Sequence, residues 1–129
     1  MSVPYLNTDD GFPDHPKVEQ LSDAAYRLHS CGMHYAAKHL TDGLIPERRV
    51  RRLVPRFRTS ALDELLAGEV WHHGGQGCGT KTCLKGDEGE YVVHDFLQWN
   101  KSAEWWAAKR EKDAQRQAEW RASHSKGDE

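Results

Sequence analysis

The order of hydrophobic and polar positions predicts helices in the first half of the chain and strands in the second. From residue 22 to about residue 39, apolar or small residues recur at steps of three and four, which is the spacing of one helix face. Asp23 falls in the first turn of this segment, where a carboxylate interacts favourably with the helix dipole. We therefore predict a first helix here, after an irregular lead-in over residues 1–16.

Two shorter helices are predicted next. Pro46 suits the first position of a helix, and Pro55 disfavours helical geometry at the residue before it, so a second helix is predicted between them. Thr59 and Ser60 are candidate N-terminal caps of a third helix, for which Gly68 is a plausible C-terminal cap. Only a few residues separate the second helix from the third.

The remaining chain predicts two strands, a long loop and a last helix. Residues 70–73 and 90–94 are rich in β-branched and aromatic side chains and predict the strands. The loop between them, residues 74–89, contains six glycines and two cysteines, and a structureless loop of that length in a small domain requires an explanation. Ser102 can cap a final helix that runs towards Trp120.

The predicted order of helix, short strand, helix, helix and two-stranded ribbon is typical of a winged helix-turn-helix. This is an α+β fold with a three-helix core and a two-stranded β wing. We predict such a domain over residues 1–100, with its wing at about residues 70–95. A charged C-terminal helix over residues 101–122 and a disordered tail over residues 123–129 would follow.

Composition narrows the class of protein. A length of 129 residues with 37% hydrophobic residues favours one compact domain. There is no apolar run of membrane-spanning length, the N-terminus lacks a secretory signal, and three cysteines are too few for a disulfide scaffold. We therefore expect a cytoplasmic protein. The net charge of −2 excludes a uniformly basic nucleic-acid binder but allows a locally basic one.

Residues 47–58 form such a local basic region, with six arginines, one acid and a charge of +5. Arginine makes planar, bidentate contacts with phosphate, so the segment favours nucleic-acid binding; a solvated helix face is the alternative. We expect double-stranded DNA as the partner, with Thr59 and Ser60 near the bases and Lys81 and Lys85 of the wing adding contacts. The predicted phosphate-binding arginines are Arg48, Arg49, Arg51, Arg52, Arg56 and Arg58.

Acidic residues on the third helix oppose this interpretation. Asp63, Glu64 and Glu69 lie where a recognition helix would meet DNA, and they would repel phosphates unless they face away from the groove.

The loop contains candidate metal ligands. His72 or His73, together with Cys78, Cys83 and His94, would offer two thiolates and two imidazoles, a set that suits tetrahedral zinc. The two neighbouring histidines point to opposite faces of a strand, so at most one can bind the ion. His94 packed beneath the sheet is the alternative. A structural zinc ion would explain how so long a loop is ordered.

Catalysis has little support in the sequence. The chain lacks a Ser-His-Asp spacing and a phosphate-binding loop, and no general base stands out beside the predicted metal ligands. We therefore expect a protein that is not an enzyme.

Three motifs carry a resemblance to a known family. Residues 15–18 (HPKV), 40–46 (LTDGLIP) and 94–100 (HDFLQWN) resemble those of small winged-helix DNA-binding proteins of actinobacteria and their phages. These are similar to the N-terminal domains of phage replisome organisers and replication initiators. The resemblance covers about residues 5–120. It implies DNA binding in phage replication or transcription control, in the cytoplasm of a bacterial host, and a His/Cys-containing loop in the wing.

A rival class is a protein-interaction module, such as a phage-encoded modulator of a host protein. Trp105, Trp106 and Trp120, with neighbouring arginines, would then form the contact surface. Alternatively, Trp105 or Trp106 packs back on the wing and anchors the last helix. Trp71 and Trp99 are predicted to be core residues. The sequence leaves the oligomeric state open.

Overall fold

The computed structural model describes residues 4–125, and its elements follow the hydrophobic pattern of the sequence. The fold is α+β, as predicted. After a 3-10 turn at Phe12–Asp14, the elements in chain order are α1 (Pro16–Glu19), α2 (Asp23–His39), β1 (Leu44–Pro46), α3 (Glu47–Val50), α4 (Thr59–Ala67), β2 (Trp71–His73), β3 (Glu90–Val93), α5 (Phe96–Trp99) and α6 (Ala103–Ser125). No helix in this part of the chain has the length and apolar character needed to cross a membrane.

Helix α2 is the long element of the core, and its predicted bounds are confirmed. The Ser22 side chain accepts a hydrogen bond from the Ala25 N–H at 3.2 Å and caps the start of the helix. Leu40 ends it in the left-handed conformation, with φ of 55°. The buried face includes Leu28, which is fully enclosed.

The three strands form an antiparallel sheet in the order β1-β3-β2. Residues paired across antiparallel strands share a face, so the register sorts the side chains. Ile45 lies on the face that packs against the helices, as does Trp71 through its pairing with Val93. Val92 pairs with Leu44 on one side and with His72 on the other, which places this set on the opposite, outer face.

Residues 74–89, which we call the flap, fold back over the outer face of the sheet. A Cβ atom on Gly86 would lie 3.0 Å from Leu44 Cδ2 and 3.2 Å from Val92 Cγ2, so the flap backbone lies directly on these side chains. The middle of the flap is attached to α5, because the Leu97 N–H donates a hydrogen bond to the Thr82 carbonyl at 3.2 Å. Val92 is consequently buried, although it faces away from the helices.

The predicted second helix is wrong at its end. It starts at Glu47, one residue after the predicted Pro46, which is the last residue of β1, but it ends at Val50 and does not continue to Pro55. Turns follow over residues 51–56, and they allow Val54 to enter the core without a helical conformation before proline.

The predicted caps of the third helix are confirmed at one end only. Helix α4 begins at Thr59 itself, and no side chain of the described residues caps its start. Gly68 is its C-terminal cap, as predicted.

The tryptophans that are buried differ in part from those predicted to be in the core. Trp71 is fully buried, as expected, whereas Trp99 is 54% exposed and is not a core residue. Trp106 is buried and packs edge-on against Tyr5, with ring centroids 5.4 Å apart, so it anchors the start of α6.

Helix α6 is longer than predicted. The Ser102 hydroxyl accepts from the Trp105 N–H at 3.1 Å, which confirms the predicted cap. The helix reaches Ser125, so residues 123–125 of the predicted tail are helical, and residues 126–129 lie outside the described part of the chain.

Replacing Gly32 by alanine is expected to destabilise the protein by about 2 kcal/mol, despite the better helix propensity of alanine. The new methyl group would lie 2.9 Å from Trp71 Cη2 and 3.0 Å from Ile45 Cδ1, and both side chains are fully buried. Urea denaturation measures the change, with Lys38→Ala at an exposed position of α2 as the control, expected within about 0.5 kcal/mol of wild type. A Gly32→Ala protein as stable as wild type would show that this packing is looser than described.

Candidate metal centre and basic surface

Four side chains converge where the flap meets the outer face of the sheet. His72 comes from β2, His94 follows β3 directly, and Cys78 and Cys83 come from the flap. One ligand atom of each residue lies within 4.8 Å of all the others. This cluster could hold a metal ion, and it unites candidates that are 22 residues apart in the chain.

The cluster is close to the size of a tetrahedral site, and its widest pairs, at up to 4.8 Å, would have to close by as much as about 1 Å around an ion. Zinc bonds of about 2.3 Å to sulfur and 2.0–2.1 Å to nitrogen place tetrahedral ligand atoms about 3.3–3.8 Å apart. Cys78 Sγ lies 3.7 Å from His94 Nδ1, which is within that range. His72 Nε2 and His94 Nδ1 lie 2.7 Å apart, at hydrogen-bond distance, and must separate by about 0.6 Å to coordinate one ion.

The His94 ring is oriented by a carboxylate outside the cluster. Asp95 Oδ2 lies 3.1 Å from His94 Nε2, and the Thr82 hydroxyl donates to Asp95 Oδ1 at 3.0 Å. A proton on Nε2 leaves the lone pair of Nδ1 directed at the cluster, which is the arrangement of a metal-binding histidine with a supporting carboxylate. The sequence analysis missed Asp95 and Thr82; the only signal was an acid next to a candidate ligand.

The two thiols differ in environment. Cys83 is buried, and this burial raises the pKa of its thiol to about 11. Cys78 is exposed, and hydrogen bonding with Thr80 lowers the pKa of its thiol below the usual value. Burial, followed by the proximity of His94, lowers the pKa of His72, which favours the neutral, metal-binding form of the imidazole.

The alternative ligand His73 is not part of the cluster. Its ring packs against Tyr91, with centroids 5.5 Å apart, on the other face of the sheet. Of the two neighbouring histidines, His72 is therefore the one that the fold brings to the other three side chains.

The arginine segment, residues 47–58, is an exposed basic surface. All six of its arginines are exposed, and none forms an ion pair with a carboxylate of residues 4–125. Arg51 lies over the Phe57 ring, 5.7 Å from its centroid. Arg48 and Arg49 lie in helix α3, and the other four arginines lie in the turns and extended chain that follow it.

The other predicted DNA-binding residues lie on two further elements. Thr59 and Ser60 are exposed at the start of α4, immediately after Arg58. Lys81 and Lys85 are exposed on the flap, where the Lys85 side chain runs beside Gly77.

The acids of the third helix are partly withdrawn from this surface. Glu64 accepts hydrogen bonds from the Ser22 hydroxyl at 2.8 Å and from the Ser22 N–H at 3.2 Å, so it faces the start of α2. Glu69 follows α4 and lines a cavity beside α1 together with Lys17. Asp63 is the exposed acid that remains on α4 itself.

Comparison with known proteins adds no family to these observations. No protein-family model, no curated protein and no solved structure matches the chain. The functional assignment therefore rests on the metal cluster and on the basic surface.

Proposed function

We propose that this protein is a winged-helix protein that binds double-stranded DNA and that one zinc ion fastens its flap to the sheet. The observation that carries the DNA-binding part is the arginine segment: six exposed arginines without a carboxylate partner within residues 4–125. So many unpaired like charges repel one another unless a polyanion relieves the repulsion. DNA phosphates provide that relief, and arginine binds them in bidentate geometry.

The topology supports the winged-helix assignment. The order of elements along the chain is that of the winged-helix fold: helix α2, strand β1, helices α3 and α4, and the ribbon of β2 and β3. In this interpretation α4 is the recognition helix, and its first residues, Thr59 and Ser60, approach the bases. The withdrawal of Glu64 towards Ser22 removes one acid from the DNA-facing side. The proposed relatives are the small DNA-binding proteins of actinobacteria and their phages that the sequence motifs resemble.

The donor set supports zinc as the metal. Two thiolates with two imidazoles favour zinc over calcium or magnesium, which prefer oxygen ligands. Four protein ligands fill a tetrahedral shell and leave no position for a substrate, which is the pattern of a structural site and not of a catalytic one. The ion would hold the flap against Leu44 and Val92 and keep the outer face of the sheet covered.

Replacing Arg48 and Arg52 together by alanine is expected to weaken binding to a mixed-sequence 20-bp duplex by at least about tenfold near 50 mM salt, because two phosphate contacts are lost. Both side chains are exposed and make no hydrogen bond, ion pair or ring contact within residues 4–125, so stability should change little. Fluorescence anisotropy of labelled DNA measures the affinity.

The matched control is Arg110→Ala with Arg116→Ala, which removes the same charge from exposed positions of α6. Its expected loss of affinity is less than about twofold, since those charges are not placed at the DNA. Equal losses of affinity in the two double variants would mean that DNA affinity depends only on net charge. The arginine segment would then not be the DNA-binding surface.

A second candidate function is binding of a protein through α6. Trp106 is its one buried residue within Ala103–Ser125, and Trp120 is 60% exposed. An exposed tryptophan with arginines near it on the same helix, here Arg116 and Arg121, is a typical protein-contact residue. A protein captured from nuclease-treated host lysate by wild type but not by Trp120→Ala would support this function.

A further inference from the structure

A half-open cavity of about 190 Å³ lies between the segment before α1, helix α2 and the turn after β3. Its walls are largely apolar and include Phe12, Met33 and Val93, with the exposed Trp99 at its edge. The metal ligand His94 and the neighbouring Asp95 line one side of this space, whereas no residue of the arginine segment lines it.

One buried polar group in its wall has an unused hydrogen-bond donor. His29 lines the cavity and is only 5% exposed. The Trp71 Nε1–H donates to His29 Nδ1 at 3.0 Å, which assigns the ring proton to Nε2. No hydrogen-bond partner for this Nε2–H occurs within residues 4–125.

The free N–H of His29 has access to open space. Thr41 Oγ1 is the only side-chain polar atom of the described residues that is fully enclosed without a partner, so His29 Nε2 is not fully enclosed. The cavity is the open space that His29 lines. Water in the half-open cavity can accept this proton. A ligand acceptor that displaces the water keeps the donor paired, whereas a plain hydrocarbon in the same place leaves it unpaired.

The size and charge of the cavity define an occupant. An engineered apolar cavity of about 150 Å³ binds benzene, so a volume of about 190 Å³ accommodates one six-membered ring with a small substituent. Carboxylates outnumber ammonium groups in the lining, with Asp9, Glu69 and Asp95 against Lys17. A neutral molecule therefore fits better than an anion.

We propose that this cavity binds a small neutral ring compound whose hydrogen-bond acceptor receives the Nε2–H of His29. The ring contacts the apolar wall, and the acceptor distinguishes such a compound from a plain hydrocarbon. This site is separate from the proposed DNA-binding surface, so the two proposals can fail independently.

The test is an NMR titration of ¹⁵N-labelled wild-type protein with benzamide, toluene and benzoate as probes. Benzamide is expected to bind with a Kd of about 0.1–1 mM, and toluene and benzoate each about fivefold more weakly. The shifted signals should include the Trp71 Nε1–H, because its acceptor is the same imidazole.

His29→Asn retains an acceptor for Trp71 at the position of Nδ1 but loses the Nε2–H. The variant is expected to bind benzamide about fivefold more weakly than wild type, and its affinity for toluene should differ by less than about twofold. The comparison of the three probes on wild type needs no variant and stands even if His29→Asn misfolds. Shifts that do not saturate by about 10 mM benzamide, or equal affinity for benzamide and toluene, would overturn the proposal.

Discussion

Replacing Cys78 and Cys83 together by serine is expected to abolish stoichiometric zinc binding and to lower the melting temperature by roughly 10–20 °C. The serine hydroxyls are poor zinc ligands, and the two remaining histidines do not hold the ion at neutral pH. A ligand present at 1,000 times its Kd stabilises the folded state by about 4 kcal/mol, and the variant loses this contribution. Metal analysis and calorimetry measure the two effects.

The matched control is Cys31→Ser, which changes a half-buried cysteine of α2 that is not in the cluster. It should retain about one zinc ion per chain. Hydrogen exchange gives a local measure, because loss of the ion should accelerate exchange in the flap and at Val92 beneath it. A double variant that still binds one equivalent of zinc would show that the four side chains are not the site.

Acidification is expected to destabilise the wild-type protein more than a His29→Asn variant, by about 3 kcal/mol at pH 4 relative to pH 7. Burial lowers the pKa of His29 from 6.5 to about 4. Between these two values the unfolded chain binds a proton at this residue that the folded protein does not. The stabilisation is therefore complete above pH 6.5 and is lost as the pH falls towards 4.

Urea denaturation at a series of pH values measures this difference. At each pH, the free energy of unfolding of the variant is subtracted from that of the wild type. The difference cancels the contributions of other titrating groups, including the histidines of the metal cluster. His34→Gln, at an exposed position of the same helix, is the control and should follow the wild-type profile. Parallel pH profiles for wild type and His29→Asn would contradict the assignment of a buried, neutral imidazole to His29.

The sequence predicted the elements that periodicity and β-propensity control. Helix α2 and strands β2 and β3 appear within one or two residues of their predicted bounds. The second helix failed because its apolar residues also fit a turn that brings Val54 into the core. Trp99 was misassigned because aromatic residues next to a strand are often buried, whereas here α5 turns this ring outwards.

The sequence predicted which residue types form the candidate metal site. It did not predict which of the two neighbouring histidines belongs to it or which residues hold the ligands in place. Ligand chemistry alone indicated His94 and the two flap cysteines. The choice of His72 over His73 required the strand register, which decides the face each ring occupies. Two features of the site depend on the backbone conformation and cannot be read from the spacing of residues in the sequence. They are the contact of Asp95 with His94 and the folding of the flap over Leu44.

The salt dependence of DNA affinity tests the central proposal most directly. If about five of the arginines of residues 47–58 contact phosphates, the slope of log K against log salt concentration is about −4 to −5. Anisotropy titrations of the zinc-loaded protein between about 50 and 200 mM salt give this slope. A slope in that range supports DNA binding by the arginine segment. A slope near zero, or no binding at the lowest salt, would contradict it.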